Sequence, residues 1–306
     1  MQAFLFAGQG SQYPGMGKEL FSLNPEFTTI YNTASEVLGY DLADICFNAD
    51  AETLARTIYS QPAITATSLL CFEVAKKNGI SFDGVAGHSL GEYAAMAAAG
   101  IISVEDCFKI VKIRSEAMEK AAVSSKGMMA AVLKLSAKEI EAVCEQTEGY
   151  VVPVNYNSPM QTVIAGEAEA VERAIETFKT MKARVMPLKV SSAFHSKLMN
   201  AAAEETAEKI KGMCFAKPSV RYYSNLIGGE LTDFSDMPEL LGKHIISPVR
   251  FTDELNTMRG DGFDTFIEMG PGKVLTGLVS KTLTDARAMN LENQAALESA
   301  LAVLNG

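Results

Sequence analysis

The stretch that most constrains this chain is Gly87-His88-Ser89-Leu90-Gly91. It has the Gly-x-Ser-x-Gly form of a nucleophile elbow. A short apolar run, Gly84-Val85-Ala86, precedes it and reads as a buried strand. An alanine-rich run from Glu92 to Ala99 follows and reads as a helix. Between them the backbone must turn so sharply that only glycine fits on either side of the serine. The turn lifts the Ser89 hydroxyl clear of a sheet and sets it at a helix N-terminus. The Leu90 amide then points to where an oxyanion would form. The plainer alternative is a serine capping a buried helix.

The 306 residues suffice for one large domain or two modest ones, and 48% apolar residues allow a sizeable core. A net charge of −10 disfavours nucleic acid as a partner, because phosphate binding needs a basic face. The five cysteines, Cys46, Cys71, Cys107, Cys144 and Cys214, include no C-x-x-C pair and read as reduced thiols of a cytoplasmic protein. Three scattered histidines offer no metal-binding spacing. The apolar start, Met1 to Phe6, lacks a basic leader and reads as a strand. The longest apolar run, Ala94 to Ile102, is far short of the ~18 residues of a membrane span.

In chain order, a strand over 3–6 runs into Gly8-Gln9-Gly10-Ser11-Gln12. The glycines fit neither G-x-G-x-x-G nor a phosphate loop, so this segment is expected to supply the second amide of an oxyanion hole. Helices are expected at about 16–22, 25–38 (opened by Asn24-Pro25), 61–78 and 103–122. From Gly127 the texture changes. Strands at 128–134, 151–156, 162–165 and 184–190 and helices at 136–146 and 169–181 follow the order βαββαβ, the ferredoxin-like unit. Ser136 and Glu139 form a capping box. The chain then returns to the larger unit, with a helix at about 197–212, strands at 220–224 and 265–269, and helices ending near 284 and spanning 293–303. The expected fold is α/β: a hydrolase-like core with a parallel sheet, residues 1–126 and 191–306, plus an inserted ferredoxin-like subdomain, residues 127–190.

Ser89 needs a base. His88 is adjacent, but its side chain leaves the elbow in another direction. His195, at the junction between subdomains, and His244, near a helix end, remain, and position favours His195. Taken by itself, Arg114 reads as a surface ion-pairing residue on a long helix.

Gly8-Gln9-Gly10-Ser11-Gln12, Gly87-His88-Ser89-Leu90-Gly91, Arg114, Ala193-Phe194-His195-Ser196 and Glu268-Met269-Gly270-Pro271-Gly272-Lys273-Val274-Leu275 stand in one order along the chain. In this the chain resembles the malonyl-CoA:acyl carrier protein transacylases of fatty acid synthesis and, with them, the acyltransferases of polyketide synthases. The resemblance covers essentially the whole length. It implies that Ser89 carries a malonyl ester and that His195 acts as base and then acid. It implies that Arg114 pairs with the free carboxylate of malonate, and that the amides of Gln9 and Leu90 form the oxyanion hole. His244 falls where the family uses a backbone carbonyl to orient the histidine, and Asn155 falls at a cleft-facing position. Phe194, in Ser192-Ala193-Phe194-His195, resembles the malonyl-selective pattern, although its first position departs from it.

The resemblance further implies malonyl-CoA and an acyl carrier protein as substrates, with no metal or other cofactor. An acidic carrier would need a local basic patch on this acidic chain, for which Lys182, Arg184, Lys189 and Lys197 are candidates. A monomer without membrane or nucleic-acid partners is expected. The alternatives are a trans-acting malonyl acyltransferase of a polyketide synthase, a serine acyl-hydrolase or thioesterase on the same elbow, and a catalytically silent binding module.

Overall fold

The computed structural model describes residues 1–125, 127–188, 190 and 192–305. Among the described residues ten strands form two sheets: β1 (Gln2–Phe6), β2 (Gly84–Gly87), β3 (Gly127–Leu133), β4 (Val151–Ser158), β5 (Gln161–Glu167), β6 (Arg184–Pro187), β7 (Arg221–Ser224), β8 (Gly229–Glu230), β9 (Thr265–Met269) and β10 (Arg287–Leu291). The larger sheet has the order β10-β9-β1-β2-β7-β8. All its pairings are parallel except that of β8, which runs antiparallel at one edge. Its central strand β1 is apolar and buried at every position from Ala3 to Phe6 because helices cover both faces. Phe4 and Phe6 enter one core with Leu70 and Phe72, while Ala3 and Leu5 enter the other with Phe251 and Phe263.

The smaller sheet is antiparallel throughout, with the order β4-β5-β3-β6. This is the ferredoxin-like arrangement that the order βαββαβ predicts. Alternate residues of β3 face opposite ways. Ala130 and Val132 pack under the helices Ala137–Gln146 and Ala168–Thr180 with Ile140, Val171 and Phe178. Met129 and Ala131 pack the other way, against Met118, Phe194 and Met199. That second layer joins the smaller sheet to the helix Val104–Ser124 and brings Phe194 to the seam.

Several helices open as their caps dictate. Ser103 accepts from Asp106 N–H, and Ser136 with Glu139 makes the full capping box. The helix expected from 61 begins earlier, at Thr57, and continues through Pro62 to Lys77. The Ile58 carbonyl, which Pro62 has no N–H to meet, accepts the Tyr40 hydroxyl instead at 3.1 Å. The strand expected over 184–190 is described only as Arg184–Pro187. Strands β8 and β10 and the helices Leu42–Asn48, Ala51–Ala55 and Phe251–Gly260 are additions to the sequence reading, while the helix Met237–Ile246 ends just past His244, at the helix end expected there. Among the described residues no helix is long and apolar enough to cross a membrane.

Candidate active site

Strand β2 and the helix Gly91–Ala98 meet at Ser89. A Cβ on Gly87 would lie 2.1 Å from the Gly91 carbonyl carbon, and one on Gly91 would lie 2.0 Å from the Phe6 carbonyl oxygen. Neither site admits a side chain, so the tight turn follows from its two glycines. Ser89 itself has φ of 51°, in the left-handed region. That conformation costs a non-glycine residue roughly 1–3 kcal/mol and points to a function for the turn.

His195 arrives from the other side. Its main-chain N–H donates to the Ile245 carbonyl at 3.1 Å. Its Nδ1 lies 3.1 Å from the carbonyl oxygens of both His244 and Ser247. Carbonyls only accept, so Nδ1 carries the proton and Nε2 keeps its lone pair. That lone pair meets the Ser89 hydroxyl, with Oγ 2.6 Å from Nε2. The ordering of the base therefore needs no acidic side chain. Burial, reinforced by His244, Arg114 and His88, holds the His195 imidazole well below its ordinary 6.5 and keeps it neutral.

Arg114 is not a surface residue. It is 1% exposed, and its Nη2 donates to Ser89 Oγ at 3.3 Å. The guanidinium lies 5.2 Å from the centroid of the Tyr93 ring. Among the described residues no carboxylate pairs with it, and its Nε and Nη1 are buried without a partner. A buried cation with idle donors beside a nucleophile is expensive unless a ligand completes it. A planar carboxylate fits such a fork.

Gln9 sits just beyond β1, where Gln61 Nε2 donates to its side-chain oxygen at 3.1 Å. Among the described residues the Gln9 and Leu90 amides have no protein acceptor, as oxyanion donors require. Phe194 is buried in the layer shared by Met118, Met129 and Met199. Asn155 lies on β4 and forms a bridge to Val249. No hydrogen bond joins it to Ser89, His195 or Arg114 among the described residues; its neighbour Asn157 instead accepts from His88 Nε2 at 2.7 Å. His88 is thus engaged elsewhere. His244 contributes its carbonyl; its Nε2 is 3.1 Å from Glu92 Oε1, close enough for an ion pair but too oblique for a hydrogen bond.

Lys182, Arg184 and Lys197 are exposed, and the Lys197 ammonium sits 3.9 Å from the Tyr150 ring centroid. Lys189 lies outside the described residues. Sequence reasoning missed the Ser247 carbonyl and the buried Gln61, Glu92 and Asn225. A main-chain acceptor leaves no mark in sequence, whereas Glu92 directly follows the elbow and Gln61 opens the helix expected over 61–78. Two cavities of about 620 and 630 Å³ open elsewhere, and neither is lined by Ser89, His195 or Arg114.

The profile of a family described as an acyl transferase domain matches residues 3–298. The malonyl CoA-acyl carrier protein transacylase of Bacillus subtilis is 40% identical over 99% of this chain and 96% of its own length. The crystal structure of the corresponding protein from Clostridium perfringens superposes with a TM-score of 0.95 at 37% identity, covering 99% of this chain and 97% of that one. A malonyl-transacylase solved in complex with a type II polyketide-synthase acyl-carrier protein superposes with a TM-score of 0.94 at 35% identity, covering 99% of each chain.

Proposed function

Because this chain belongs to the acyl transferase domain family, we propose that it moves malonyl groups from malonyl-CoA to the phosphopantetheine thiol of an acyl carrier protein. The transfer is ping-pong. Ser89 Oγ attacks the thioester carbonyl carbon while its proton passes to His195 Nε2, 2.6 Å away. The oxyanion is met by the Gln9 and Leu90 amides. The C–S bond breaks, and the departing CoA thiolate takes the proton from His195. The malonyl-Ser89 ester remains, its free carboxylate on the guanidinium of Arg114, whose Nε and Nη1 have no protein partner among the described residues. The carrier thiol then gives its proton to His195 and attacks the ester carbonyl, the C–Oγ bond breaks, Ser89 Oγ takes the proton back from His195 Nε2, and the carrier leaves with the malonyl group.

The observation that carries this reading is the unpaired, buried guanidinium of Arg114 at 3.3 Å from the nucleophile. A plain esterase has no use for it, whereas a dicarboxylic half-ester does. Phe194 narrows the acyl pocket against an α-methyl group, and the exposed Lys182, Arg184 and Lys197 meet the acidic carrier. Residues 1–126 with 191–306 and residues 127–190 act as two subdomains about this site, in a cytoplasmic monomer.

Fatty acid synthesis is the first pathway to assign. Supply of a polyketide synthase is the second, favoured by the likeness to a transacylase complexed with a polyketide carrier. Malonyl transfer to purified carrier proteins of each kind tests both. Transfer to either supports the activity, and the better acceptor names the pathway. Release of free malonate with transfer to neither would refute it.

A further inference from the structure

Beneath the elbow lies a buried polar group that the chemistry above does not use. Strand β7 pairs with β2 only at Gly84 and Val85. Beyond Val85, β7 offers β2 no main-chain partner at Gly87 or Ser89, whereas β1 still pairs with Gly87 on the other side. Asn225, just past β7 and fully buried, fills the gap with its side chain. Its Oδ1 accepts from Ser89 N–H at 2.6 Å, and its Nδ2 donates to the Gly87 carbonyl at 2.7 Å and to Glu254 Oε2 at 2.5 Å. The orientation of the carboxamide is fixed by chemistry, since Ser89 N–H can only donate and the Gly87 carbonyl can only accept. A side-chain amide thus does the work of a peptide group on the strand side of the strained serine.

The same residue connects to the base. Asn225 N–H donates to Glu92 Oε1 at 2.8 Å, and the other Glu92 oxygen takes the Tyr222 hydroxyl. Glu92 Oε1 is also 3.1 Å from His244 Nε2, and the His244 carbonyl accepts from His195. Ser89, Asn225, Glu92, His244 and His195 therefore form one buried series of contacts. A strained backbone persists only where its surroundings over-determine it, and acyl transfer needs nucleophile and base in register.

We infer that Asn225 is a positioning residue for acyl transfer: its carboxamide clamps the Ser89 turn and, through Glu92, ties that turn to the helix end that orients His195. The inference rests on Ser89 being the nucleophile proposed above. It is tested with Asn225→Asp, which keeps the shape but turns an oxygen toward the Gly87 carbonyl and Glu254, and with Asn225→Ser, which withdraws both arms. Ile140→Ala, in the core layer over the smaller sheet, serves as a reference for general destabilisation. Three quantities are read: Ser89 labelling by a fluorophosphonate, single-turnover acylation by malonyl-CoA with its KM, and the thermal midpoint.

Both Asn225 variants are expected to lose about tenfold or more in labelling and in acylation rate, with KM within about threefold. Ile140→Ala is expected to lose stability and keep both rates. Unchanged labelling in the Asn225 variants, an equal loss in Ile140→Ala, or failure of both Asn225 variants to fold would overturn the inference. Labelling of the unaltered protein without acylation by malonyl-CoA would strike only the donor assignment, and the labelling data would still judge Asn225.

Discussion

Removing the guanidinium of Arg114 should convert a malonyl-selective site into an indifferent one. Arg114 is 1% exposed, holds Ser89 Oγ at 3.3 Å and leaves two buried donors idle. In Arg114→Ala the substrate carboxylate enters an enclosed site unpaired, at a cost of about 2–5 kcal/mol. That corresponds to a fall of roughly 30- to 5,000-fold in kcat/KM for malonyl-CoA. Acetyl-CoA carries no carboxylate and should not suffer this penalty, so the ratio of the two specificity constants collapses. Arg114→Lys keeps a charge but presents a point donor without the planar fork, and should recover only part of the loss. The folded protein should meanwhile gain stability in Arg114→Ala, because an unpaired buried cation is removed. The assay is acylation of Ser89 by each thioester, followed by quenched-flow mass measurement, alongside a thermal melt. If Arg114→Ala kept the malonyl-to-acetyl ratio of the unaltered protein, the carboxylate assignment would be wrong.

The remaining expectations concern pH, acyl selectivity and the carrier. Since burial, with His244, Arg114 and His88 alongside, holds His195 well below 6.5, the acid limb of kcat/KM should lie below the ordinary imidazole range; a limb at or above 6.5 would contradict this. Folded His88 and His195 both titrate below 6.5, so the unfolded chain binds more protons as pH falls through that value. Stability should then be full above about pH 6.5 and decline below it until the folded imidazoles are protonated; urea midpoints that stay level between about pH 7.5 and 5.5 would refute it. Phe194→Ser should raise the use of methylmalonyl-CoA relative to malonyl-CoA by an amount worth ~1–3 kcal/mol, read from competing acylation; an unchanged ratio would remove Phe194 from the selectivity argument. Reversing charge at Lys182, Arg184 and Lys197 together should raise KM for the carrier protein and leave acylation by malonyl-CoA alone untouched; an unchanged carrier KM would place the docking surface elsewhere.

Much of this was legible because it is forced locally. The Gly87 and Gly91 contacts with neighbouring backbone leave no room for a Cβ, so the elbow announces itself as glycines around a serine. The capping box at Ser136 and Glu139 and the continuous apolar run from Met128 to Leu133 likewise mark the smaller sheet in sequence. Arg114 shows the limit. A basic residue on a long helix is ordinarily solvated, and its burial depends on packing against Tyr93 and Ser89 that no local pattern records. Strand β10, Arg-Ala-Met-Asn-Leu, shows neither strict alternation nor a continuous apolar run, so no period marks it as a strand. Asn225 is illegible for a deeper reason: its role comes from a gap in strand pairing, which exists only once β2 and β7 are side by side. His195 stood out among three histidines by position, whereas the two carbonyls that set its tautomer belong to residues whose side chains are irrelevant to that task.

The central claim is that Ser89 carries the acyl group between two thiols. Intact-protein mass after brief exposure to malonyl-CoA, with Ser89→Ala in parallel, tests it most directly. The expected result is a malonyl adduct on the unaltered protein alone, which persists in buffer and disappears when a carrier protein bearing its phosphopantetheine is added. An adduct that survives in Ser89→Ala, or rapid CoA release with malonate set free and no adduct, would contradict it.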